Sequence, residues 1–136
     1  MTDGFIDYED ALRIHREQLV LFGGEEGVLN ESNLLSALGA IVTAYHYGKQ
    51  DIDQFAALYI SRIAQAHAFV DGNKRTAASC AIHFLEFHDI HTGLTSSELE
   101  SLVLNLVDRK ISEEGAAAFL LERIEECVHA DTGSAE

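Results

Sequence analysis

Two stretches with helical apolar spacing, residues 51–66 and 73–87, are joined by only six residues. The first places Ile52, Phe55, Ala56, Tyr59, Ile60 and Ile63 at three- and four-residue steps, the pattern of an amphipathic helix. The second carries Ala77, Ala78, Ala81, Ile82, Phe84 and Leu85. So many small residues predict a helix packed closely on several sides, central to a bundle. Around the link runs His67-Ala68-Phe69-Val70-Asp71-Gly72-Asn73-Lys74-Arg75-Thr76-Ala77. A base, a carboxylate, a glycine, an amide and two cations fall within nine of its residues.

A glycine-containing turn that opens a helix offers free backbone N–H groups and the positive end of the helix dipole to an anion. Asn73, Lys74 and Arg75 would then occupy the first turn of that helix. Cations are unfavourable there on dipole grounds. Two of them imply a strongly negative ligand, with a phosphate chain as the obvious candidate. Asp71 is placed to hold a divalent metal bridging the phosphates. It is equally able to cap the helix. His67 can take a proton from an attacking hydroxyl, or simply end the preceding helix, a favourable place for a histidine.

The remaining segments read as helices as well. Asp7 caps a first helix over residues 8–21, stopped by Gly23-Gly24, and Asn30 caps a second over residues 31–47, ended by Gly48. Asp51 with Gln54 forms a capping box for the third helix, and Thr95 with Glu98 another for a fifth that runs to about residue 108. Ser112 caps a sixth over residues 113–129, and the polar tail 131–136 is expected to fray. No stretch alternates clearly as a strand would. The chain has no proline, in keeping with uninterrupted helices. Residues 47–51 are a candidate flap beside the site.

With 136 residues, the chain suits one compact domain. No apolar run approaches the ~20 residues that span a bilayer, and the acidic N-terminus lacks a signal-peptide pattern. A cytoplasmic protein with no membrane partner is expected. A net charge of −14 argues against direct nucleic-acid binding, which needs a basic patch. The few cations instead gather at the motif: Lys74 and Arg75, with Arg62 in the helix before it. Cys80 sits in an apolar helical pattern and reads as a buried free thiol. A zinc site at His83 and His88 is the weaker reading of those histidines.

The run His67-x-Phe69-x-Asp71-x-Asn73-Lys74-Arg75 resembles the motif of the Fic/Doc superfamily in its Doc (death-on-curing) toxin form. Phe22-Gly23-Gly24, then Gly27, then Asn33-Leu34-Leu35-Ser36-Ala37-Leu38 is similar to that family's N-terminal segment, and Phe55-Ala56-Ala57-Leu58-Tyr59 to the helix leading into its motif. The resemblance implies an all-α bundle of about six helices, a single domain over residues 1–136, with the motif turn between two central helices. It implies ATP and Mg²⁺. In that reading His67 is the general base on a Ser or Thr hydroxyl and Asp71 the metal ligand. Gly72, Asn73, Lys74 and Arg75 hold the phosphates, with Phe69 an anchor in the core. Ala68 departs from the family, where proline is common.

Lys74 discriminates within the superfamily. The AMP-transferring Fic branch has glycine there, and a second arginine where this chain has Ala78. Lysine implies the Doc arrangement, with the γ-phosphate beside the histidine and a phosphorylated protein as product. The resemblance also implies a cognate antitoxin whose C-terminal helix lies in a groove of the toxin, and a target in translation of the elongation factor Tu type. The inhibitory pattern of some Fic proteins is matched only loosely, at Ser96 to Glu100, and its arginine partner is missing, so no internal brake is implied. Two alternatives stay open: a Fic-type AMP transferase using the same pocket, and a helical binding module without activity.

Overall fold

The computed structural model describes residues 3–49 and 51–134, with side chains as far as His129. The fold is all-α. Six helices follow in order: α1 (Tyr8–Phe22), α2 (Glu31–His46), α3 (Ile52–Ala66), α4 (Asn73–Phe87), α5 (Ser96–Val107) and α6 (Glu113–Ser134). Among the described residues, strand-like pairing is limited to one antiparallel bridge between Val28 and Phe69.

Helix starts follow the short polar side chains. Asp7 and Asp10 form a reciprocal capping box on α1, and Thr95 and Glu98 another on α5. Asn30 Oδ1 accepts the Asn33 N–H on α2 at 2.9 Å, and Ser112 Oγ accepts from Gly115 at 3.0 Å at the start of α6. The capping box expected at Asp51 does not form. The Gln54 N–H donates to the Asp51 backbone carbonyl at 3.1 Å, and the Asp51 side chain makes no cap hydrogen bond. Ends shift slightly too: α1 runs one residue past the expected Leu21, α2 stops one short of Tyr47, and α6 continues to Ser134 instead of His129.

Helix α3 is the axle of the bundle. It touches α2, α4, α5 and α6, and its run Phe55 to Ser61 is buried without a break. Ala77 and Ala81 of α4 are buried with it, as the small-residue pattern predicts. Tyr59 is fully buried and its hydroxyl accepts the Ile6 N–H at 2.9 Å, tying the N-terminal segment to the core. Burial pushes the Tyr59 hydroxyl up, so it stays a neutral phenol. Burial likewise raises the thiol of Cys80, which is free and serves as packing.

The flap expected at residues 47–51 lies at the wrong end of α3. That segment feeds the N-terminus of a helix 15 residues long, about 22 Å from the C-terminus where the motif begins. Gln50 lies outside the described residues. The segment that does cover the motif is the α1–α2 loop.

Candidate active site

The turn at residues 67–72 is bracketed by two left-handed residues. His67 caps α3 at φ 49°, ψ 42°, and Gly72 opens α4 at φ 77°, ψ 19°. Glycine adopts this region freely, whereas histidine is strained in it. The His67 side chain is exposed and makes no hydrogen bond among the described residues. A strained residue with a free, exposed imidazole suits a chemical role better than a structural one.

The turn is held from inside by Asn73. The Phe69 N–H donates to Asn73 Oδ1 at 3.0 Å, and Asn73 Nδ2 donates to the Phe69 carbonyl at 2.9 Å. Both ends of the carboxamide thus close the turn, a role that the phosphate-contact reading of Asn73 leaves out. Phe69 is 1% exposed, in line with its expected anchoring role.

From outside, the α1–α2 loop clasps the same turn. Leu29 and Asn30 both donate N–H to the Ala68 carbonyl, at 2.7 and 3.1 Å, and the Val70 N–H donates to the Gly27 carbonyl at 3.0 Å. Asn33 Nδ2 donates to the Ala66 carbonyl at 2.9 Å and satisfies one of the orphan acceptors at the end of α3. His15 of α1 donates through Nε2 to the Asp71 carbonyl at 2.8 Å.

Asp71 does not cap α4. The N-cap is Gly72 and no side chain caps the helix. One carboxylate oxygen of Asp71 accepts the Gly72 N–H at 2.8 Å, and the other lies 3.4 Å from the Glu25 N–H, so the group stays beside the turn and exposed. The first-turn N–H groups of α4 are therefore left for an external acceptor. Lys74 is exposed, and neither it nor Arg75 forms an ion pair among the described residues. Arg75 Nη2 donates to the Gly23 carbonyl at 3.1 Å, and its guanidinium sits 5.4 Å from the centroid of the Phe22 ring.

Arg62 does not join this cluster. Five residues before His67 it faces α6, where its Nε lies 3.2 Å from Glu113. His83 and His88 bond to the Ser79 and Gly4 carbonyls. No group of three or more His, Cys, Asp or Glu able to hold a metal occurs among the described residues. Concavities of about 380 and 800 Å³ lie elsewhere, and the motif lines neither. The seat between His67 and α4 is open to solvent.

The sequence model of the Fic/DOC family matches residues 5–85, a span that holds the α1–α2 loop, the turn and nearly all of α4. The chain belongs to the Fic/Doc family. This Fic/Doc protein is similar to toxin Doc of Mycolicibacterium smegmatis, at 37% identity over 93 residues, covering 66% of this chain and 68% of that one. It is also similar to protein kinase Doc of Escherichia phage P1, at 26% identity over 113 residues, covering 82% and 89%. Both relatives are of the Doc type.

The residues of this Fic/Doc protein fit a Mg²⁺–polyphosphate ligand. The helix N-terminus is uncapped, Gly72 has no side chain to block it, and a lysine with no ion-pair partner among the described residues stands on its first turn. Mg²⁺ commonly takes one or two carboxylates and completes its shell with water and phosphate oxygens. Asp71 supplies one, which suits an ion that arrives with phosphate better than an all-protein cage.

One buried group behind the seat has no partner among the described residues. Thr76 is fully buried and its hydroxyl makes no hydrogen bond among them. Replacing that hydroxyl with a methyl of the same shape, Thr76→Val, should stabilise the fold by about 1 kcal/mol. Urea unfolding would check it, and a loss of stability would mean that the hydroxyl has a partner such as water.

Proposed function

We propose that this Fic/Doc protein is a Doc-type toxin kinase that transfers the γ-phosphoryl group of ATP to a Ser or Thr hydroxyl of a protein target, with Mg²⁺ as cofactor. The observation that carries the proposal is the uncapped first turn of α4, where Lys74 has no ion-pair partner among the described residues while His67, on the facing helix end, is exposed and strained. The phage relative's name, protein kinase Doc, supports the same class of chemistry.

The residue roles follow from position. Free N–H groups of α4, Lys74 and the forked Arg75 receive the phosphates. Asp71 holds Mg²⁺, which when bound neutralises charge on the phosphate oxygens. His67 accepts the proton of the target hydroxyl as its oxygen bonds to the γ-phosphorus. The bond from that phosphorus to the β,γ-bridging oxygen breaks, and ADP leaves. Most of the catalytic effect is positioning and charge neutralisation. The target belongs to the translation machinery, of the elongation factor Tu type, and a cognate antitoxin inserts a helix into a groove of the toxin.

A second reading, transfer of AMP from the same seat, is disfavoured by Lys74 and by Ala78 where that chemistry uses arginine. Incubation of the protein and a cell extract with labelled ATP separates the two. Label from the γ-position should appear on protein and label from the α-position should not. The opposite pattern would establish AMP transfer, and neither label, with the fold intact, would favour a binding module. Added cognate antitoxin should stop the transfer; undiminished transfer would count against that partner.

A further inference from the structure

We infer that His15, on α1 and outside the motif, is a positioning residue for the Asp71 peptide. The inference rests on the proposed phosphate seat for its functional meaning, but on geometry for its substance. His15 is 4% exposed, the only buried histidine of the bundle's described residues. Its ring lies on the Phe69 ring with centroids 3.8 Å apart and planes 8° from parallel. Its Nε2 is 2.8 Å from the Asp71 carbonyl oxygen, across 56 residues of sequence. A carbonyl only accepts, so Nε2 carries the hydrogen, which fixes the ring's donor side.

One imidazole therefore grips the turn at two places. The stack sets the height of the turn above α1, and the hydrogen bond sets the rotation of the Asp71–Gly72 peptide. That peptide determines where the Asp71 carboxylate points, since its Oδ1 already accepts the next N–H at 2.8 Å. It also fixes the left-handed Gly72 from which α4 departs. A Cβ at Gly72 would lie 3.8 Å from His15 Cδ2, so the ring forms part of the floor under that glycine. The arrangement is that of a supporting partner which aims a ligand-bearing group without touching the ligand.

Two substitutions separate the grips. His15→Phe keeps an aromatic ring on Phe69 and removes the donor. His15→Gln loses the stack and offers an amide N–H at about the reach of Nε2. Amide hydrogen exchange on the ligand-free protein should accelerate about tenfold at Val70 and Gly72 in His15→Phe, with Ile60 of α3 unchanged. Calorimetric affinity for Mg²⁺·ADP should fall by about 10–100-fold, the range for a lost supporting contact. His15→Gln should recover both to within about threefold of the parent. Exchange that rises equally at Ile60, or does not rise at all, would reduce His15 to core packing and overturn the inference. So would a Gln variant no better than Phe. If the parent protein binds no Mg²⁺·ADP, the proposed function fails, while the exchange pattern still decides whether His15 holds the turn.

Discussion

His67→Gly should lower γ-phosphoryl transfer by about 10²–10⁴-fold, the contribution of a positioned general base, without lowering the melting temperature. The two halves of this expectation have separate causes. The imidazole is exposed and bonds to nothing among the described residues, so folding loses no contact when it goes. The backbone at φ 49° sits where a side chain is costly by roughly 1–2 kcal/mol. Glycine relieves that strain and returns roughly 0.5–1 kcal/mol of it through a more flexible unfolded chain. The net change lies between zero and about 1.5 kcal/mol in favour of the fold. His67→Ala should lose the same activity and keep the strain. A fall of more than about 4 °C, near 1 kcal/mol for a chain of this size, would make His67 a structural cap and remove the best reason to assign it chemistry.

Gly24→Ala is the second large effect, and it acts from the other side of the seat. Gly24 has φ +124°, and a Cβ there would stand 2.8 Å from Asp71 Oδ2 and 3.0 Å from Leu19 Cδ2. The backbone alone costs about 1–3 kcal/mol. The collision also pushes the carboxylate away from where it would receive Mg²⁺. Transfer should fall by about 10–100-fold, and half-maximal activity should need correspondingly more Mg²⁺. Gly23→Ala is the control. Its φ of +78° is also strained, but a Cβ there meets nothing within 4 Å. It should lose comparable stability with the Mg²⁺ requirement unchanged. Equal Mg²⁺ responses in the two variants would show that the loop, not the carboxylate, carries the effect.

The motif is legible in the amino-acid sequence because its signals are local. Short polar side chains before apolar periods mark the helix starts at Asp7, Asn30, Thr95 and Ser112, and all four caps form. Asp51 carries the same signal and fails, because a backbone carbonyl already serves the N–H it would cap. Local signals do not disclose which distant segment lies against the turn. In the sequence His15 is a histidine with no Cys or carboxylate at a metal-site spacing, and Asn33 stands out only as part of the segment similar to the family's N-terminal one. Only the docking of α1 against α4 and of α2 against α3 gives them the Asp71 and Ala66 carbonyls. The expected flap fails for the same reason. The described residues of that segment precede α3 in sequence, yet the length of the helix separates them from the motif at its other end. The glycines of the α1–α2 loop are a legible hint, since Gly24 and Gly27 leave no room for a Cβ against Asp71 and Val70.

The alanines buried in the two central helices have a consequence for rate. Ala56, Ala57 and Ala64 of α3 and Ala77 and Ala81 of α4 are all essentially inaccessible. Interiors this dense yield to added volume only by moving the backbone. The proposed proton acceptor, His67, rides on the end of one of these rods and the proposed anion seat on the beginning of the other. Their separation is thus metered by methyl groups roughly one to three turns away, and a single enlarged alanine would register as slower turnover before it registered as unfolding.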